Sequence, residues 1–420
     1  MSDTDSNARR FLALEVAHWA NATSRLQNLD DLASPAAWHS LEGYLGMSIR
    51  RHLGGVIERL NRESDALRAE LDRAASPIES ARVRKRLLAF RRSYLRAETT
   101  LDFFGDAINT RTNPTVAGLL RACDTLAHRS MAQILDQLGK PTPVALTYLD
   151  KGLGASILKA GMRLWDGGRE CPVAAIKITR HNLYRPTALI HEAGHQVAHI
   201  LGWNEELASA LETGLGDAPA SLASAHAATA SEIAADACAF CHTGSASIFA
   251  LHDVLAGEAS VVLRHLPGDP HPISYLRVLL GVEMCRQFYG AGPWDELAED
   301  WTGRYTLEKT PAGTESLLRA SLPLLPKIVQ ITLRQPMRAF GGRPLSALID
   351  PARVSPQALA DLERTLGPAL YTSMHWIWTE TVRLLALTGL QAATMLNRAV
   401  DTVKQQEQWM LRLGGALQAA

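Results

Sequence analysis

Apolar residues recur at helical spacing through the first 140 residues and again after Trp301. In the stretch from Gly54 to Ala75, for example, Leu60, Leu67 and Leu71 fall on one face of a helix. Glycine is sparse in the first of these regions. The pattern predicts two helical regions, and the second is expected to end in a long helix from about residue 368 to residue 413.

A different pattern separates the two helical regions. Pro141 and Pro143 interrupt the helical spacing, and strand-like segments follow at 144–149 and 172–180. Several glycines between them indicate turns: Gly152, Gly154, Gly161, Gly167 and Gly168. The expected fold class is therefore mainly α with a small β-sheet (α+β). We expect an N-terminal helical region over 1–140, a central core that contains the sheet over 141–310 and a C-terminal helical region over 311–420.

Composition narrows the classes of function. The 420 residues, 47% hydrophobic, are enough for two or three domains or one large core. Lysine and arginine (43) balance aspartate and glutamate (43), so net charge gives no general attraction to nucleic acid or anionic membrane. The one marked basic cluster, 82–96, is interleaved with apolar residues and fits the solvated face of an amphipathic helix. Nucleic-acid binding is a secondary hypothesis.

The number and spacing of the cysteines and the length of the apolar segments indicate the cellular compartment. Five cysteines without framework spacing indicate reduced thiols and a cytoplasm-like compartment. No run of 18 apolar residues occurs, and the nearest candidate, 376–396, is broken by Glu380, Arg383 and Gln391. The first ten residues contain no apolar signal core. We expect a cytoplasmic protein without a transmembrane segment, or an exported effector that carries no cleavable signal.

The most informative motif is His-Glu-x-x-His, at 191–195. His191 and His195 are four residues apart, so a helix directs both imidazoles to one side, where they can share a zinc ion. Glu192 can act as the general base that takes a proton from a metal-bound water. Pro186 suits the start of this helix and Gly202 suits its end. The strand predicted at 172–180 leads into the helix and is expected to hold a peptide substrate in extended form. The expected cofactor is Zn²⁺, and the motif is typical of a metallopeptidase.

A catalytic zinc needs a third protein ligand. Leu201 occupies the position where metzincins have a third histidine, which excludes that subclass. Glu232 is the expected ligand, and Asp236, one helical turn later, can accept a hydrogen bond from a ligand histidine, His191 being the expected one. Glu232 could instead belong to a helix-capping box. His226 is the alternative ligand.

The order of these motifs, followed by His-Pro-x-x-x-x-Arg at 271–277, resembles the gluzincin zinc peptidases, in particular the HtpX and CAAX-prenyl-protease type. That resemblance implies that His271 and Arg277 lie near the site, where they could stabilise an oxyanion. Otherwise Arg277 would lie on the solvent face of the next helix. Familiar members of this group are membrane proteins, unlike this chain. The segments around Glu192 and Glu232 also resemble the soluble ImmA/IrrE-type peptidases.

One further motif points elsewhere. Residues 238–242 spell Cys-x-x-Cys-His, the attachment sequence of c-type haem, on the helix expected to carry Glu232. A haem there would collide with the zinc site, so two buried thiols are the preferred interpretation.

The expected function is that of a zinc-dependent endopeptidase with a zincin-like core acting on a protein or peptide. One alternative is a non-catalytic, zinc-stabilised interaction or regulatory protein, whose helical flanks would bind a partner protein. The other is a peptidase effector delivered by a secretion system.

Overall fold

The computed structural model describes residues 3–152, 155–158, 171 and 173–416. Four of the glycines predicted to form turns, Gly154, Gly161, Gly167 and Gly168, lie outside this part of the chain. The chain divides into two compact units. The first unit is Met1–Asn113 with Ala160–Pro172, and the second is Pro114–Lys159 with Val173–Ala420.

The α-helices of the first unit are α1 (Asp3–Arg25), α2 (Pro35–Leu45), α3 (Ile49–Arg73) and α4 (Pro77–Asn109). The second unit begins with α5 (Pro114–Leu135), α6 (Ala188–Leu201), α7 (Trp203–Gly214), α8 (Ala220–Ala227), α9 (Ala230–Thr243), α10 (Ser245–Leu255), α11 (Ala259–Val262), α12 (Ser274–Tyr289) and α13 (Pro293–Arg304). It continues with α14 (Ala312–Ser321), α15 (Leu325–Val329), α16 (Leu345–Leu348), α17 (Pro356–Leu366), α18 (Ala369–Thr372), α19 (Met374–Thr379), α20 (Thr381–Thr394) and α21 (Ala399–Ala416). The strands are β1 (Ala145–Leu149), β2 (Ser156–Leu158) and β3 (Ala174–Ile178). The predicted fold class, mainly α with a small sheet, is confirmed.

The three strands form one mixed sheet in the order β1-β3-β2. β1 is parallel to β3, with Ala145 opposite Ala174, and β2 is antiparallel to β3, with Ser156 opposite Lys177. The strand predicted at 172–180 was expected to hold an extended substrate, and this expectation is wrong. Because β3 is hydrogen-bonded on both sides, it has no free edge for a peptide.

Helices α3 and α4 supply much of the core of the first unit through apolar rows at helical spacing. The buried row of α3 includes the predicted Leu60, Leu67 and Leu71. Helix α4 begins in a capping box, in which Ser76 Oγ accepts from the Glu79 backbone amide and the Glu79 carboxylate accepts from the Ser76 amide. These two bonds satisfy backbone donors that a helix start otherwise leaves without partners.

The core of the second unit surrounds α5, α6 and α9. Helix α6 packs between α5 and α9, and α21 packs along α5. A buried carboxylate joins α5 to the sheet, because Asp124 Oδ1 accepts from the Thr147 amide at 2.6 Å and from its hydroxyl at 2.8 Å. Helix α5 was assigned from its sequence to the N-terminal helical region, yet it belongs to the second unit. The division at residues 140 and 310 itself stays a prediction.

The prediction of a single long helix over 368–413 is wrong. Its sequence is divided among α18, α19, α20 and α21, with breaks at Ser373, Glu380 and Met395, where the backbone leaves the helical region. The physical reason is tertiary packing, since α20 packs on α9 and α10 whereas α21 packs on α5. Among the described residues, no helix combines the length and apolar character that crossing a membrane requires.

Candidate metal centre

Helix α6 carries the His-Glu-x-x-His motif into the middle of the second unit. It ends at Gly202, which adopts the left-handed conformation (φ 62°) expected of a C-terminal glycine cap. His191 and His195 lie one turn apart on the same side, with ring centroids separated by 4.7 Å. The four-residue spacing of His191 and His195 therefore places both imidazoles on one side of α6, as predicted from the sequence.

Close packing of α6 on α9 brings the third donor to this pair. Gly194 is the contact point, because a Cβ built there would lie 2.8 Å from Cys238 Cβ and 3.1 Å from backbone atoms of Ala235. Such distances are below ordinary van der Waals contact, so only glycine fits without displacing α9. This close approach places Glu232, in the first turn of α9, opposite the two histidines.

The donor atoms of the three residues lie close enough together that they could share one metal ion. Glu232 Oε2 lies 3.4 Å from His191 Nε2, and Glu232 Oε1 lies 3.2 Å from His195 Nε2. One ligand atom of each of the three residues lies within 4.8 Å of the others. In a tetrahedral site with bonds of about 2.0–2.1 Å, neighbouring donors stand about 3.3 Å apart. Two imidazoles and one carboxylate also leave a fourth position for water.

Glu192, next to His191 on α6, lines the same cavity as the three candidate ligands. The residue is buried, with 6% of its surface exposed. Burial raises the pKa of this carboxyl group, although the neighbouring histidines oppose the shift. A carboxylate that takes up a proton more readily than usual suits a general base.

Each histidine is oriented through its other ring nitrogen. Asp236 Oδ1 lies 2.8 Å from His191 Nδ1, and Ser231 Oγ lies 3.2 Å from His195 Nδ1. When Nδ1 of a neutral histidine donates to such a partner, Nε2 is left free to bind a metal. Asp236 was predicted from the sequence, whereas Ser231 was missed. Its position immediately before Glu232 was the only signal.

Arg277, in the first turn of α12, joins the two carboxylates of α9. Its Nε lies 2.6 Å from Asp236 Oδ2, and its Nη2 lies 3.0 Å from Glu232 Oε2. Nη2 is also 3.3 Å from His191 Nε2. The arginine is buried, so the alternative that placed it on a solvent face is wrong. Because its guanidinium is engaged by carboxylates, Arg277 acts first as a clamp on the ligand set.

His271 lies at the mouth of the site, with 59% of its side chain exposed and its Nε2 3.7 Å from Glu232 Oε1. Asp269, which sequence reasoning missed, holds it in place. Asp269 Oδ1 accepts from the His271 backbone amide at 2.9 Å and lies 2.7 Å from its Nδ1. The ring is therefore oriented with Nε2 toward the cavity. While Nδ1 donates to Asp269, Nε2 can donate a hydrogen bond only in the imidazolium form.

The ion pairs govern the pKa values of the buried groups. Burial opposes ionisation of Glu232, but hydrogen bonds from both histidines and the charge of Arg277 outweigh it and lower the pKa. Burial likewise opposes ionisation of Asp236, and Arg277 lowers its pKa to about 2. Burial alone would lower the pKa of His191, yet Asp236 raises it to about 9. Both carboxylates are thus negative at neutral pH, as a cation site requires.

The structure supports neither the capping-box role of Glu232 nor His226 as the third ligand. Glu232 forms no capping box, since its carboxylate faces His191, His195 and Arg277. His226 is buried on α8, with Nε2 3.2 Å from Ser321 Oγ, and burial lowers its pKa to about 4. Among the described residues, it does not belong to the metal-ligating group. Glu232 is thus the third donor of the group.

The Cys-x-x-Cys-His segment lies within α9. Cys238 and Cys241 are buried free thiols, and burial raises the pKa of Cys238 to about 12. His242 is also buried, and burial lowers its pKa to about 4. Buried residues on a packed helix agree with the preferred interpretation of two core thiols.

A cavity of about 510 Å³ opens from the ligand group. Its lining includes Ser156 and Ile157 of β2, a strand at one edge of the sheet, and apolar residues of α10 and α12: Ile248, Leu251, Val254, Leu255, Leu280 and Met284. Within the described part of the chain no strand pairs with the outer edge of β2, so the site combines a strand edge, apolar residues and a group of candidate metal donors in one cavity.

The chain matches no protein-family model, no curated protein and no solved structure with which it was compared. The resemblance to gluzincins stays a hypothesis that rests on the motifs and on the geometry described above.

Replacing Ser231 by alanine tests whether it orients His195. We expect the dissociation constant for zinc to rise by about 10-fold, since partners that orient a ligand histidine are worth roughly 10–100-fold in affinity. Competition with a chromophoric chelator measures this constant. Ser209→Ala, on the exposed face of α7, is the matched control and should leave zinc affinity unchanged. Equal affinities of the two variants would contradict the assigned role.

Proposed function

We propose that this protein is a zinc-dependent endopeptidase. The observation that carries the proposal is the convergence of His191, His195 and Glu232, whose donor atoms lie within 4.8 Å of one another, with Glu192 lining the same cavity. Two histidines and one carboxylate are a ligand set used by catalytic zinc, and a purely structural site has no need of a neighbouring buried base. The ligands belong to a rigid pair of helices, α6 and α9.

A bound zinc ion supplies Lewis acidity, which lowers the pKa of water and polarises a carbonyl group. Residues of the chain transfer the protons and stabilise the negative charge that develops during the reaction. Glu192 takes the proton of the attacking water and delivers it to the leaving amine. His271, held by Asp269 through Nδ1, donates from Nε2 in its imidazolium form to the oxygen on which negative charge develops. Arg277 keeps the carboxylates of Glu232 and Asp236 ionised and in position.

The cavity suits an extended peptide. β2 is at the edge of the sheet, so its outer backbone groups can pair with a substrate strand, as in β-strand addition. The apolar residues of α10 and α12 that line the cavity can receive a substrate side chain. A peptide or protein is the substrate class that uses both features, since strand pairing requires a polypeptide backbone.

Zinc content and hydrolysis, measured together, test the proposal. We expect about one zinc ion per chain by atomic spectroscopy, and cleavage of an unbiased peptide library detected by mass spectrometry. Removal of the metal by a chelator should stop cleavage, and zinc should restore it. A chain that binds zinc and is stabilised by it, yet cleaves no peptide in the library, would instead favour a zinc-stabilised interaction protein.

A further inference from the structure

The exposed face of α4 carries an unusual concentration of positive charge. Residues 82–96 contain seven basic side chains and no acidic one, on a chain whose net charge is zero. All seven are exposed: Arg82, Arg84, Lys85, Arg86, Arg91, Arg92 and Arg96. Arg86 pairs with Glu70, and Arg91 lies over the ring of Trp19. Within the described part of the chain, Arg84, Lys85 and Arg92 form no ion pair.

Two exposed leucines lie among these cations. Leu88 is 47% exposed and Leu95 is 44% exposed. Helical neighbours are three and four residues away, so Leu88 is ringed by four basic side chains: Arg84, Lys85, Arg91 and Arg92. We call Leu88, Leu95 and the seven cations the basic leucine face. Its opposite side is buried in the core of the first unit, through residues such as Val83 and Phe90.

The apolar residues of this face have the spacing of one of the two rows that form a coiled-coil seam. Ala81, Leu88 and Leu95 recur every seven residues, as the d positions of a heptad do. Lys85 and Arg92 then fall at the a positions. The flanking e and g positions from 82 to 96 are basic or alanine: Arg82, Arg84, Ala89, Arg91 and Arg96. Charges at e and g select the partner of a helix.

We propose that the basic leucine face binds an acidic amphipathic helix of another protein. A partner with leucines at heptad spacing and glutamate or aspartate on both sides would cover Leu88 and Leu95. Its carboxylates would at the same time meet the arginines that have no ion-pair partner within the described residues. Burying exposed apolar surface provides affinity, whereas the charge pairs fix register and exclude other partners. This surface is independent of the proposed peptidase function.

Other occupants fit less well. A second copy of this face would place arginine against arginine, which repels. Nucleic acid would meet the cations but has no complement for leucines on its phosphate backbone, and the two aromatic residues within 82–96, Phe90 and Tyr94, are buried and cannot stack on bases. A membrane-surface helix needs a broad apolar sector, and here cations surround each leucine.

Fluorescence anisotropy with a designed peptide tests the proposal on the full-length protein. The probe is a labelled helix with leucine at successive d positions and glutamate at e and g, compared with a scrambled peptide of the same composition. At physiological salt, we expect the heptad peptide to bind at least about 10-fold more tightly than the scrambled one, because only the former aligns leucines with carboxylates.

Two variants separate charge from apolar contact. Arg84→Glu with Arg91→Glu should weaken binding of the heptad peptide by at least about 10-fold, and Leu88→Ser with Leu95→Ser by about 5-fold or more. Reversal of Arg62 and Arg68, exposed on α3, is the control and should change binding little. Circular dichroism and thermal unfolding verify that each variant is folded.

Several outcomes overturn the proposal. Equal binding of the heptad and scrambled peptides, or unchanged affinity of the leucine variant for the heptad peptide, would mean that the face attracts acidic peptides only through its charge. Tighter binding to phosphatidylserine vesicles or to duplex DNA than to the heptad peptide would assign it to a different class of partner. Dimerisation of the wild type that the leucine variant abolishes would assign it to a second copy of the chain.

Discussion

Glu192→Gln is expected to lower the rate constant for peptide hydrolysis by about 10²–10⁴-fold while leaving zinc bound, since this is the range that a positioned acid or base contributes. Glutamine keeps the size of the side chain but cannot accept a proton. Because glutamine has nearly the same size and places no new charge in the buried site, the fold is expected to remain intact. The measurements are the turnover of a cleaved library peptide and the zinc content of the same sample.

His195→Ala shows whether a loss of hydrolysis comes from loss of the metal or from loss of the base. Removing one of three ligands should abolish both zinc binding and hydrolysis, whereas Glu192→Gln should abolish hydrolysis alone. Glu205→Gln makes the same chemical change at an exposed position on α7, and its activity should equal that of the wild type. If Glu192→Gln hydrolyses peptides at the wild-type rate, Glu192 is not the base and the proposed mechanism is wrong.

Local periodicity allowed much of the site to be predicted from the sequence. His191 and His195 are neighbours on any helix, and Glu232 and Asp236 are neighbours on any other helix, so each pair follows from spacing alone. Residue type then indicated their chemistry. That the two pairs face each other is a property of the packing of α6 on α9, and the sequence could support it only through the resemblance to gluzincins.

Features that depend on tertiary contacts were beyond sequence reasoning. Gly194 looks like an ordinary helical glycine until α9 is seen within van der Waals distance of it. Ser231 and Asp269 are common polar residues whose partners are known only once the chain has folded. The same reason accounts for the wrong role expected of β3, because nothing in its sequence shows that β2 pairs with its second edge.

Arg277→Met is expected to destabilise the metal-free protein by about 3–5 kcal/mol, the usual cost of removing one partner from a buried ion pair. Arg277 is the cation that lies between Asp236 and Glu232. Methionine has a similar length but no charge, so two buried carboxylates would be left close together without their arginine. Urea denaturation of chelator-treated protein measures the loss. Arg286→Met, on the same helix, is the matched control, because its pair with Asp295 is exposed and should be worth at most about 1 kcal/mol.

Zinc should recover part of this loss, and the recovery connects stability to the proposed site. A metal bound to His191, His195 and Glu232 places positive charge beside the same carboxylates, so it can partly replace the missing guanidinium. Binding to the folded state alone adds about 2.7 kcal/mol when free zinc is 100 times its dissociation constant. We therefore expect zinc to raise the unfolding midpoint of Arg277→Met. If Arg277→Met were no less stable than Arg286→Met, the clamp assigned to Arg277 would be wrong. If zinc stabilised neither variant, the three donors would not form a metal site.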